Sequence, residues 1–190
     1  MPSKLCVAVI LAISLFFCGR CSAQDHVLSF DVEKGVNGIP WGADPANIAG
    51  LESAGPEHPG FFVKKHETAK LGNGVEFSQL WYSFRDKHLI EVLLYVEPAQ
   101  PGDFDRLRDE IARKYGAGRG RQGETLSWFI GKRDVTAAEE AAFAKLPDEL
   151  KGMDRAQFAI TLNAYPARNS ILVSVKDVAL MLDRTLGCTN

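Results

Sequence analysis

Two stretches of the chain carry side chains whose types and spacing suit chemistry. Gly118-Arg119-Gly120-Arg121-Gln122-Gly123 matches G-x-G-x-x-G letter by letter. In dinucleotide-binding proteins that pattern brings backbone amides and a helix dipole against a pyrophosphate. The mechanism needs the glycines after a strand and at the start of a helix. Here a helical pattern precedes them and a strand pattern follows, so the dinucleotide reading fails on context. A weaker anion chemistry survives, because Arg113, Lys114, Arg119 and Arg121 fall within nine residues. Arg119 and Arg121 would present guanidinium groups to a phosphate or carboxylate. A solvated connection behind a cationic helix end accounts for the same residues.

The second stretch is aromatic. Trp81, Tyr82 and Phe84 lie close together, with Trp41, Phe61, Phe62 and Trp128 elsewhere. Neighbours on a strand point to opposite faces, so one of Trp81 and Tyr82 is expected in solvent. An exposed ring would stack on a sugar or receive a partner's apolar side chain. Core packing with a Trp at a sheet margin fits the pattern too, since aromatics favour strands. Arg119, Arg121, Trp81 and Tyr82 are therefore the candidate ligand-binding residues.

No catalytic set emerges. His26, His58, His66 and His88 form no His-Glu-x-x-His motif, so no metal site is assigned. His66 and His88 would have to meet across a sheet to act together. There is no Gly-x-Ser-x-Gly elbow and no Ser-x-x-Lys set with its companions. Cys188 lies near the terminus, where a nucleophile lacks a rigid pocket and a base. The carboxylate pairs Glu139-Glu140 and Asp148-Glu149 read as a solvated helical face. No motif implies a cofactor.

The elements that position these residues follow from periodicity and turn chemistry. Asp44-Pro45 reads as a helix start, with Ile48 and Leu51 facing inward and Gly55-Pro56 ending it. Gly60 to Lys64 reads as a strand and Leu71-Gly72-Asn73-Gly74 as a turn. Val75 to Phe84 and His88 to Val96 form a hairpin through Arg85-Asp86-Lys87. In the second arm Ile90, Val92, Leu94 and Val96 share one face, and Leu89, Leu93 and Tyr95 the other, the pattern of a doubly covered strand. Asp103 caps a helix whose Phe104, Leu107, Ile111 and Tyr115 form a stripe, closed at Gly116. Glu124 to Ile130 is a strand, and Thr136-Ala-Ala-Glu139 a capping box opening an Ala-rich helix that Pro147 interrupts. Gln157–Tyr165 and Ser170–Lys176 form a second hairpin. A last helix starts at Asp177, buries Val178, Met181 and Leu182, and closes at Gly187. The expected class is α+β, an antiparallel sheet of about five to six strands with three to four helices packed on it.

The N-terminus addresses the chain outside the cytosol. Lys4, the apolar run Leu5–Phe17 and the small residues Cys21-Ser22-Ala23 have the layout of a cleavable secretory signal peptide. The run is too short to span a bilayer, which needs roughly 20 helical residues. The tripeptides before Cys18 and Cys21 do not fit a lipobox, so cleavage after Ala23 is expected. The organisation reads as residues 1–23 signal peptide, 24–34 mobile lead-in, 35–187 one domain and 188–190 tail. Cleavage removes Lys4 and Arg20, leaving 20 cations against 24 acids and a net charge of −4. That balance argues against nucleic-acid binding and against an anionic membrane surface. Three of the four cysteines leave with the signal, so Cys188 has no intramolecular partner.

Gly38-Ile39-Pro40-Trp41-Gly42 followed by Asp44-Pro45 resembles the opening of small exported proteins of Gram-negative bacteria. Tyr82 to Val92 and Lys114-Tyr115-Gly116 are similar to later pieces of the same proteins. The resemblance implies periplasmic residence and an α+β form; in physical terms, Ile39 and Trp41 are expected to bury under the sheet while Gly42 frees the turn into the helix. More distantly, the glycine-then-helix opening looks like that of the small outer-membrane assembly lipoproteins, without a lipobox. The expectation is an exported, non-catalytic binding or accessory module with an envelope protein or component as partner. Two alternatives are a small periplasmic hydrolase acting on envelope material, and anion capture by the Arg119/Arg121 loop.

Overall fold

Four antiparallel hairpins lie side by side and make one sheet of eight strands. A computed structural model describes residues 26–65, 67–143, 152–153 and 155–185 of the chain. Residues 1–23, read as a signal peptide, and His66, Pro147, Asp148-Glu149, Gly187 and Cys188 lie outside the described residues. The strands are β1 (His26–Leu28), β2 (Leu51–Ser53), β3 (Phe61–Lys64), β4 (Ala69–Leu71), β5 (Glu76–Phe77) and β6 (Gln79–Arg85). They continue as β7 (His88–Val96), β8 (Arg119–Arg121), β9 (Thr125–Ile130), β10 (Phe158–Tyr165) and β11 (Ser170–Asp177). The helices are α1 (Asp103–Tyr115), α2 (Ala137–Phe143) and α3 (Val178–Thr185).

The large sheet runs β2-β3-β6-β7-β11-β10-β9-β8, and a smaller one runs β1-β4-β5. This corrects the expected α+β class of five to six strands under three to four helices. The described residues are mostly β, with eleven strands in two sheets and three short helices. The reason lies in segments without clear alternation. The stretch after Asp44 is a 3-10 turn over Pro45–Asn47, and Leu51 begins β2 instead of facing inward from a helix that runs to Gly55-Pro56. The Asp44 cap itself forms, its Oδ1 accepting from the Ala46 amide at 2.8 Å. The glycine-arginine segment becomes edge strand β8, and Val75–Phe84 breaks at Ser78 into β5 and β6. From His26 onward the segment read as a lead-in joins the fold, with β1 pairing parallel to β4 and Leu28, Phe30 and Val32 buried.

Both long hairpins form. Asp86 and Lys87 lie in the left-handed region (φ 47° and 63°), the two-residue turn whose twist matches its strands. Arg85 pairs with His88 and Phe84 with Leu89, but Ser83 pairs with Glu91. Ile90 is therefore the extra residue of a bulge, which turns Leu89 onto the same face as Val92 and Leu94. That corrects the simple alternation, in which Leu89 shared a face with Leu93 and Tyr95. In the other hairpin Ile160 faces Val175 and Leu162 faces Val173.

One face of the large sheet carries the main core, where Tyr82, Leu94, Val173, Ile160 and Leu162 meet Leu107 and Ile111 of α1. On the opposite face Val178 and Leu182 of α3 cover Ala159. Capping acts as the sequence implies at two starts. Thr136 and Glu139 exchange hydrogen bonds before α2, and Asp177 accepts from the Leu180 amide at 3.0 Å. Glu139 is buried against Arg133 instead of lying on a solvated face. Its carboxyl is held below the ordinary range, first by the Thr136 amide and then by Thr136 and Arg133 side chains. Ile39 is buried and Trp41 half-buried, its Nε1 donating to the Val32 carbonyl at 2.6 Å.

Candidate functional site

The face that α3 leaves uncovered is aromatic. Trp81 of β6 is half-buried there, and its row continues through Leu93 of β7. His58, in the turn between β2 and β3, meets the Trp81 ring edge-on at 4.8 Å. Phe61 of β3 and Tyr95 of β7 each lie 6.0 Å from it. Tyr165 extends the same face at the end of β10, where it is 43% exposed. The indole N–H already donates to Gln79 Oε1 at 3.0 Å. What Trp81 offers a ligand is therefore its flat apolar surface.

Tyr82 points the other way, as strand alternation requires, and is wholly buried. Its hydroxyl donates to the Glu67 carboxylate, lying 2.9 Å from both oxygens. Asn37 Nδ2 donates to Glu67 Oε1 at 2.6 Å. Burial, then the charge of Glu67, push the Tyr82 hydroxyl far above the ordinary tyrosine range. Tyr82 is thus a core residue that anchors Glu67, while Trp81 faces the solvent side.

A cleft of about 430 Å³ opens beside Trp81. β3 pairs with β6 only at Phe61 and Phe62, although β3 runs to Lys64 and β6 begins at Gln79. The strands part there because the chain before β6 belongs to the β4-β5 hairpin of the smaller sheet. Val63, Lys64, Leu80 and Trp81 all line the cleft, so both side-chain parities contribute. It therefore lies in the plane of the sheet, between strands. Lys64 and Glu67 sit at its wall, 25% and 11% exposed, with Nζ 3.8 Å from Oε1. That separation is beyond hydrogen-bond reach. A larger cleft of about 530 Å³ lies against the β4-β5 hairpin, where Lys70 pairs with Glu76 and Arg106 with Asp103, and Glu97 also lines it.

Arg119 and Arg121 lie at the far edge of the sheet, both exposed. Four strands separate β8 from β6, about 24 Å at the usual spacing. The structure does not bring the two candidate pairs together. Arg121 is bridged to Glu124 at 3.1 Å. Gly118 and Gly120 of the pattern have packing reasons, and Gly123 lies at a positive φ of 80° with open space around it. A Cβ on Gly118 would lie 2.7 Å from the Trp128 ring, and one on Gly120 would lie 2.3 Å from the Thr125 carbonyl oxygen. His88 sits at the hairpin turn, its Nδ1 2.7 Å from the Asp86 carbonyl. Sequence reasoning missed His58, Lys64, Glu67, Gln79 and Tyr95 as companions of Trp81. Only the parity of Tyr95 hinted at its place, and the bulge at Ile90 decides that parity.

Among the described residues no cluster of three His, Cys, Asp or Glu side chains is arranged to hold a metal ion. No helix among them is long and apolar enough to cross a membrane. No protein-family model, curated protein or solved structure matches this chain.

Proposed function

We propose that the protein is an exported, non-catalytic binding module of the bacterial envelope that holds an envelope protein or component on the sheet face around Trp81. The observation that carries this reading is one half-buried indole, ringed by His58, Phe61 and Tyr95, beside a cleft cut into the sheet. A sheet face buried for stability alone needs no such gap. Aromatic rings that present flat surface at little entropic cost are the usual anchors of recognition. The export half of the reading rests on the layout of residues 1–23.

The test compares retention of envelope extract on the immobilised protein, on Trp81→Ala and on the double variant Arg119→Ala/Arg121→Ala. Specific retention lost in the first variant and kept in the second supports the reading. Retention lost only in the double variant transfers the role to anion capture at β8. Turnover of an ester or peptidoglycan substrate by the purified protein would put the hydrolase in its place.

A further inference from the structure

We infer that the cleft between β3 and β6 is a subsite for an acidic saccharide residue, whose ring lies on Trp81 and whose carboxylate pairs with Lys64. This rests on the binding-module reading and names its ligand. The volume, about 430 Å³, falls within the range of small-ligand sites. One wall is flat and apolar. The Trp81 N–H is already spent on Gln79 Oε1, so the indole contributes surface and no donor. Ala54, Val63 and Leu80 add to the apolar side, and Thr68, Ser78 and Gln79 form a polar side with Lys64 and Glu67. Ser78 Oγ donates to the Tyr95 carbonyl at 3.1 Å and keeps its capacity to accept. Gln79 uses its carbonyl oxygen on Trp81, leaving its amide N–H groups to donate. A flat aromatic ligand has too few polar edges to meet these groups. A pyranose has one C–H face for the indole and a rim of hydroxyls for the rest.

The charge selects among saccharides. The Glu67 carboxylate is taken up by Tyr82 and Asn37 on its buried side. The Lys64 ammonium lies 3.8 Å from that carboxylate and 5.9 Å from the centre of the Tyr82 ring, and neither contact is a hydrogen bond. Its protons are free to meet a ligand anion at hydrogen-bond distance, and a charge-assisted bond there outweighs the longer contact. Lys64 disfavours a second cation in the cleft, while Glu67 is already held by Tyr82 and Asn37, so amino sugars with a free ammonium are selected against. The chemistry that fits is a sugar ring bearing a carboxylate.

Calorimetric titration of the purified protein with a uronate trisaccharide, and with its neutral hexose counterpart, tests this. The uronate should bind about tenfold or more tightly than the neutral sugar, the ratio that one charge-assisted hydrogen bond supplies. Lys64→Gln should erase that preference and leave the neutral affinity in place. Trp81→Ala should abolish binding of both, and Trp81→Phe should retain part of it should the alanine variant fail to fold. Equal affinity for the two sugars, an unchanged preference in Lys64→Gln, or no heat with either sugar overturns the assignment. Where envelope retention depends on Trp81 and neither sugar binds, the ligand class is wrong and the binding module stands. Where retention ignores Trp81 as well, both fall.

Discussion

Glu67 holds a carboxylate at a site only 11% exposed, where an anion is costly unless donors surround it. Tyr82 and Asn37 supply them, and both residues thereby tie the Gly35–Pro40 turn and the segment before β4 to the central hairpin. Tyr82→Phe removes the hydroxyl and leaves Glu67 short of partners. It should destabilise the protein by about 1–3 kcal/mol, read from urea unfolding at neutral pH. The same phenol gives a pH dependence. Above about pH 10 an unfolded tyrosine releases its proton while the folded Tyr82 keeps it. The unfolded state then binds fewer protons, so stability falls as pH rises. The contribution is complete below that pH and declines above it. A Tyr82→Phe protein should show a shallower alkaline decline, and an identical slope in the two proteins would refute the account.

At the scale of the element, the β6-β7 hairpin was legible because its turn and its apolar arms agree. Asp86 and Lys87 both adopt positive φ, yet neither is glycine. A left-handed conformation costs an ordinary L-residue about 1–2 kcal/mol. Lys87→Gly should therefore stabilise the protein by up to about 1 kcal/mol, part of the gain being offset by glycine's greater unfolded entropy. A raised urea midpoint at unchanged slope checks it. The hairpin's bulge was not legible. Counted from Arg85 and His88, an unbroken ladder would set Trp81 opposite Val92. With Ile90 as an extra residue, Trp81 instead stands opposite Leu93, on the face of Tyr95. One residue thus assembles the aromatic face, and no local sequence preference marks it. The capping box at Thr136 and Glu139 was legible for the opposite reason, since its reciprocal hydrogen bonds join residues only three apart.

For the whole molecule, the last hairpin inserts between β7 and β9, which joins the two halves of the sheet late in the chain. Strands β7, β10 and β11 are flanked on both sides and carry the deepest core, whereas β2 and β8 are three-residue edges. Amide exchange should be slowest in β7, β10 and β11 and fastest in β2 and β8. Comparable protection across all eight strands would contradict this architecture.

By itself the sequence determined which segments alternate, where the tight turn after Arg85 falls, how α1 ends at Gly116, and that Trp81 and Tyr82 must part to opposite faces. These features arise from interactions within a few residues, so local chemistry suffices to read them. Tertiary structure alone decided the rest. It drew Arg119-Gly120-Arg121 into an edge strand, pulled the chain before β6 into a second sheet, and so opened the gap where Lys64, Glu67 and Trp81 meet. Those outcomes depend on pairing between distant strands, whose register is set by how every face is covered at once.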